Sequence, residues 1–116
     1  MPIIDIEIVD GEVTSALTRL LADGLGKAFD ASPGKVWVRV RSLDAQAYAE
    51  NGGEAPKPVF VTITASTVPE GEALRQRIAR VVEEVARISG RRRENVHVEF
   101  QPAAKGRIAF GGRLVE

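Results

Sequence analysis

Apolar and polar positions alternate from the first residues of the chain. Ile3-Ile4-Asp5-Ile6-Glu7-Ile8-Val9 is β-branched with partial alternation, which predicts a strand with one face well buried. Asp10-Gly11 breaks it. From Val13 to about Phe29 the period lengthens, and Leu17, Leu20, Leu21, Leu25 and Ala28 recur at helical spacing. Ser32-Pro33-Gly34 predicts a turn. Val36-Trp37-Val38-Arg39-Val40-Arg41 then predicts a strict period-two strand, its valines on one face and Trp37, Arg39 and Arg41 on the other.

The same order then recurs. Val59-Phe60-Val61-Thr62-Ile63-Thr64 predicts a strand, and Thr67-Val68-Pro69-Glu70 has the Thr-x-x-Glu form of a capping box with proline in the first turn. Leu74, Ile78, Val81, Val82, Val85 and Ile88 predict a second amphipathic helix, ended by Ser89-Gly90. Asn95-Val96-His97-Val98-Glu99-Phe100 is a second alternating strand. The two halves are offset by about 60 residues, an internal repeat. They are joined by a stretch from Leu43 to Lys57 that holds Asn51-Gly52-Gly53 and Pro56. The expected organisation is one α+β domain over 1–116, with repeat one at about 2–53 and repeat two at about 58–116.

Each β-α-β half places its helix over one face of the sheet. Two such halves predict a four-stranded sheet with both helices on one face. The other face carries Trp37 and residues of the first and third strands, and no further layer in the chain is predicted to cover it. An oligomer that packs these faces together is the simplest cover.

At 116 residues the chain suits one compact domain, and 44% hydrophobic with 28% charged residues is an ordinary globular balance. Sixteen basic and sixteen acidic side chains cancel, so the whole molecule offers no net attraction to nucleic acid or an anionic membrane. Arg91-Arg92-Arg93 reads accordingly as a solvated turn after a helix end. The sequence has no cysteine and one histidine, which excludes disulfides, thiolate nucleophiles and an all-histidine metal site within one chain. No apolar run approaches the roughly 20 residues that span a bilayer, and the amino terminus does not read as a signal peptide. A soluble, intracellular, cytoplasmic protein is expected.

Several stretches resemble the tautomerase superfamily. Ala104-Lys105-Gly106-Arg107-Ile108-Ala109-Phe110-Gly111-Gly112 is similar to the Lys-Gly-x-Phe-x-x-Gly-Gly hairpin of 4-oxalocrotonate tautomerase. The half from Val59 to Glu116 resembles a whole subunit of that enzyme. Met1-Pro2-Ile3-Ile4 and Asp10-Gly11 resemble the start of the same subunit. Ala47-Tyr48-Ala49-Glu50-Asn51-Gly52, followed by Pro58-Val59-Phe60-Val61, is similar to 5-carboxymethyl-2-hydroxymuconate isomerase, a fused relative. The length also resembles the macrophage migration inhibitory factor group. The resemblance implies a homotrimer, active sites walled partly by a neighbouring subunit, and keto-enol chemistry with no cofactor and no metal, of the kind used in aromatic compound degradation.

It also implies that Pro2 is the catalytic base. A base working near neutral pH needs a pKa near that pH. A free α-amino group starts at about 7.7–8.0, and desolvation or a neighbouring cation lowers it. The proline ring fixes the direction of the lone pair. Met1 must be removed, because an amide nitrogen has no basic lone pair.

The sequence departs from the family where the two carboxylate-binding arginines of 4-oxalocrotonate tautomerase would stand. Glu12 and Glu70 hold the first of these positions in the two halves, Glu12 also reading as a first-turn helix acid and Glu70 as the capping-box acid. Trp37 and His97 hold the second. Arg39, Arg41 and Arg107 are the candidate replacements, since a guanidinium fork suits a carboxylate; for Arg39 and Arg41 a solvated or interface ion pair is the competing reading. His97 is a candidate acid, hydrogen-bond donor or interface residue. Trp37 and Phe110 are candidate walls for an apolar substrate end, or core or interface residues, and Tyr48 and Asn51 are open to either reading.

The expected function is isomerisation of a small 2-oxo or 2-hydroxy unsaturated acid, with Pro2 moving a proton through a dienolate. A monocarboxylate is expected over a dicarboxylate. One alternative keeps Pro2 as an acid in a hydratase, dehalogenase or decarboxylase, with Glu99 activating water. Another is a trimeric binding or signalling protein with vestigial activity.

Overall fold

The computed structural model describes residues 2–54 and 56–116. Met1, whose removal the proline chemistry needs, and Ala55, in the stretch joining the repeats, lie outside the described residues.

The elements follow in the order β1 (Ile3–Val9), α1 (Ser15–Ala28), β2 (Trp37–Leu43), β3 (Val59–Thr64), α2 (Gly71–Ser89), β4 (Val96–Phe100), β5 (Ala109–Phe110) and β6 (Arg113–Leu114). The large sheet has the order β2-β1-β3-β4. β1 pairs with β2 in parallel, as β3 does with β4, and the central pair β1 and β3 is antiparallel. The two halves therefore meet head to tail. This antiparallel seam sets Ile3 opposite both Trp37 and Thr64, so the start of β1, the start of β2 and the end of β3 share one end of the sheet.

Alternation decides the inward face. Ile4, Ile6 and Ile8 of β1 and Val59, Val61 and Ile63 of β3 are buried against Leu21, Leu25 and Ala28 of α1 and Val81 and Val85 of α2. Each fully buried aliphatic side chain contributes about 1.5–3 kcal/mol, so the register of the two central strands is strongly specified. The helices cross where α1 has a glycine. A Cβ at Gly24 would lie 2.7 Å from Ile88 Cδ1 and 3.1 Å from Glu84 Oε1. The opposite face carries Trp37, Arg39 and Arg41 of β2, Asp5 and Glu7 of β1, Phe60 and Thr62 of β3, and His97 and Glu99 of β4. None of these side chains is buried.

Three local readings are corrected. α1 begins at Ser15, capped by Thr14 Oγ1, which accepts from the Leu17 N–H at 3.1 Å. Glu12 is thus an exposed loop residue ahead of the cap and no first-turn acid. The capping box at Thr67 does not form, because α2 starts at Gly71 with Glu70 in the cap position and no side-chain cap bond. Pro69 disfavours helical backbone at Val68, and Gly71 itself has a φ of 56°, so the chain enters the helix three residues later than the motif predicts. Finally, Arg91 is no solvated turn residue. Its guanidinium is half-buried and donates to the main-chain carbonyls of Val9, Asp10 and Lys57.

Past β4 the chain stays in register with the end of β3. The Ala104 N–H donates to Ala65 at 2.9 Å and the Lys105 N–H to Ser66 at 3.1 Å. β5 and β6 then form a hairpin around Gly111-Gly112, whose φ values of 58° and 84° suit the tight turn of a two-residue loop. Phe110 of this hairpin meets Trp37 edge to face, with ring centroids 5.2 Å apart. The hairpin therefore reaches from the β4 edge to the β2 edge at the same end as Ile3. No helix among the described residues is long and apolar enough to cross a membrane.

Candidate functional site

Pro2 is buried at the head of β1, where its carbonyl accepts the Trp37 N–H at 3.1 Å. It lines a cleft of about 380 Å³ together with Phe29, Ala65, Ser66, Thr67, Val68, Pro69, Arg77 and Phe100. The topology explains this set. Phe29 follows the end of α1, Phe100 ends β4, and residues 65–69 leave β3 where the antiparallel seam brings that strand's end beside Ile3. Phe29 and Phe100 pack with ring centroids 6.5 Å apart, giving the cleft an apolar wall. Ser66 and Thr67 supply hydroxyls. Arg77 supplies a cation, its Cζ 4.6 Å from the centre of the Phe29 ring.

Of the residues singled out in the sequence, only Pro2 lines this cleft. Trp37 adjoins it through its backbone bond to Pro2, while its indole N–H donates to the Gly34 carbonyl at 3.1 Å. Phe110 packs on Trp37. Arg107 is exposed and donates to the Ala103 carbonyl at 2.9 Å, supporting the hairpin from a neighbouring recess with Thr64 and Gln101.

Arg39 and Arg41 lie farther along β2. Arg39 grips Asp5 with two bonds, Nε at 2.6 Å and Nη2 at 2.9 Å, and Arg41 approaches the same carboxylate at 3.6 Å. The hydrogen bond from Arg39 holds the Asp5 carboxyl below its ordinary value, against an opposing effect of burial, and the charges of Arg39 and Arg41 add to the lowering. Within the chain, then, these cations neutralise an acid of the sheet itself.

His97 stands at the other end of the sheet. It is exposed and packs on Phe60, with ring centroids 5.6 Å apart. Phe60 pairs with Glu7, four residues along β1 from Ile3, or about 13 Å at the rise of a strand. Tyr48 packs on the same Phe60 ring at 5.8 Å, and its hydroxyl donates to Glu50 at 2.6 Å, which raises the phenol's pKa. Within one chain the Tyr48-Phe60-His97 group and the Pro2 cleft are separate.

Phe29, Ser66, Arg77 and Phe100 carry no site motif in the sequence, and Thr67 reads there as a helix cap. Arg77 left a usable trace. It follows Leu74 by three residues and precedes Val81 by four, so it lies along the apolar stripe of α2, where a solvated arginine is out of place.

No protein-family model matches the sequence, and no curated protein matches it. Solved structures do. The chain is 16% identical to a fused 4-OT wild-type symmetric trimer, with a TM-score of 0.77 over 97% of this chain and 94% of that one. It is 15% identical to Pt0534 inactivated by 2-oxo-3-pentynoate, with a TM-score of 0.74 over 97% and 94%. It is 21% identical to the macrophage migration inhibitory factor of Oncomelania hupensis, with a TM-score of 0.73 over 100% and 83%. The chain has the α+β fold shared by the tautomerases and the macrophage migration inhibitory factors.

Proposed function

We propose that this protein is a cofactor-independent tautomerase of small 2-oxo or 2-hydroxy unsaturated carboxylic acids, with the amine of Pro2 as base after removal of Met1. The observation that carries the reading is the placement of Pro2. It is a buried residue at the head of a central strand, lining a cleft that also offers an aromatic wall, two hydroxyls and a guanidinium. A neighbour of the same fold is inactivated by a 2-oxo acid, 2-oxo-3-pentynoate.

The chemistry follows from those groups. The prolyl amine takes a proton from the enol or from the carbon next to the carbonyl, leaving a dienolate, and returns it at the other end of the conjugated system. Burial and the nearby cation both disfavour the protonated amine, which keeps the base free near neutral pH. In this reading the hydroxyls of Ser66 and Thr67, which line the cleft, donate to the oxyanion as it develops.

The outer sheet face belongs to the same proposal. In this reading three copies pack these faces together; a fused 4-OT of the same fold is a symmetric trimer. Trp37, Arg39, Arg41, His97, Arg107 and Phe110 then belong to the walls between copies, with Arg39 and Arg41 held on Asp5 and Arg107 on the Ala103 carbonyl.

Turnover of phenylenolpyruvate by protein lacking Met1 tests the reading. Pro2→Ala is expected to lower kcat by on the order of 10² or more, the usual effect of removing a general base. Protein that retains Met1 is expected to be inactive. An unchanged rate in Pro2→Ala would overturn the proposal, and a wild type inert toward enol acids yet trimeric would favour a binding protein built on this fold.

A further inference from the structure

We propose that Arg77 is the carboxylate anchor of the Pro2 cleft, and that it selects a 2-oxo acid with one carboxylate and an apolar arm. The proposal rests on the reading of Pro2 as the site's base.

Two arginines among the described residues are half-buried, Arg77 and Arg91. Their situations differ. Arg91 donates to three main-chain carbonyls. Arg77 has neither a hydrogen bond nor an ion pair to any described residue; its guanidinium lies against the face of Phe29. Arg19 and Arg113 also lack such partners, but both are exposed, where water supplies them. A half-buried arginine whose donors meet no described acceptor of the protein keeps them available to a ligand. The ring face offsets part of the charge but leaves the planar fork of N–H donors, whose spacing matches a carboxylate.

The protein's own acids do not fill this role. Asp30 feels the charge of Arg77, yet its carboxylate is already gripped by Arg80 at 2.9 and 3.1 Å. The rest of the cleft suits the remainder of such a substrate. Phe29, Phe100 and Val68 offer an apolar surface for an aryl or alkyl arm, and Pro2 lies in the same wall. Arg39 and Arg41, engaged with Asp5 on the outer face, do not line it.

The test compares phenylenolpyruvate with its uncharged methyl ester, using full-length protein processed at Met1. Arg77→Gln is expected to raise KM for the acid by about tenfold or more, the scale of a lost charged hydrogen bond, while KM for the ester stays within about twofold. Arg77→Lys is expected to recover part of the loss, since it keeps the charge without the fork. If the acid and the ester change together, or neither changes, the anchor role is wrong. Calorimetric binding of phenylpyruvate separates this proposal from the catalytic one. Should the wild type turn over neither substrate, the base reading fails, but a Kd about tenfold weaker in Arg77→Gln still supports the anchor. Equal Kd values, or no binding by the wild type, overturn it.

Discussion

The side chain of Arg91 is bonded to the end of β1, its Nη1 donating to the Val9 carbonyl at 3.0 Å across the boundary between the two repeats. The same guanidinium also donates to the carbonyls of Asp10 and Lys57. A Cβ at Gly11 would sit 3.1 Å from its Nη2, so the close approach uses a glycine as well. Arg91→Ala leaves these carbonyls without their donor. Urea unfolding is expected to show a loss of about 1–3 kcal/mol, with Arg91→Lys recovering only part. A change below about 0.5 kcal/mol would mean that water replaces the guanidinium at no cost.

The Asp5–Arg39 pair gives stability an acid limb. The folded Asp5 carboxyl titrates below its ordinary value because Arg39 donates to its charged form. A carboxylate with a depressed folded pKa contributes fully above its unfolded pKa of about 3.9, and the contribution is lost as pH falls through the folded value. The stability difference between wild type and Asp5→Asn should therefore be largest near neutrality and shrink as pH drops below about 4. Urea titrations at a series of pH values measure it. A difference that does not vary with pH would show that the pair matters through packing alone.

A single cation among the described residues lining the Pro2 cleft predicts that one carboxylate is accommodated and a second is not. Glu70 follows Pro69 at the cleft's rim and is exposed, where a second anionic group would meet a like charge. Phenylenolpyruvate is expected to exceed 2-hydroxymuconate in kcat/KM by about tenfold, a difference of about 1.4 kcal/mol. A preference for the dicarboxylate would place a second cation in the site, contributed by a neighbouring copy.

Assembly is testable on the outer face. Phe60 packs there on Tyr48 and His97, lines a recess with Glu7, Arg41 and Thr62, and takes no part in the helix-side core. Phe60→Glu should leave the helical circular dichroism intact and dissociate the proposed trimer. Light scattering during size-exclusion chromatography checks it: a wild type that runs as a monomer at micromolar concentration contradicts the proposed assembly.

How much of this was legible in the sequence depends on the range of the interactions. Alternation in Ile4-Ile6-Ile8 and Val59-Val61-Ile63, and the helical spacing of Leu21, Leu25, Val81 and Val85, encode which side of each element is buried, because sidedness is a local property of backbone period. Gly90 at the end of α2 has a φ of 74°, and it was readable as a stop for the same local reason. The helix start was less secure. The Thr67 motif is a genuine capping pattern, but Pro69 and Gly71 hold the backbone out of helix, and Thr67 lines the cleft instead.

The partners of the long polar side chains were decided by tertiary structure. Arg39, Arg77 and Arg91 look alike in sequence, yet one grips Asp5, one lies over Phe29, and one gathers three carbonyls. A period says which way a side chain leaves its element, not what stands opposite. That depends on the antiparallel pairing of β1 with β3, which brings residues 65–69 and the ends of α1 and β4 around Pro2. The sequence determined the elements, their buried faces and the proline at the chain's head. Only the folded topology, by joining segments far apart in the chain, could make a cleft around it.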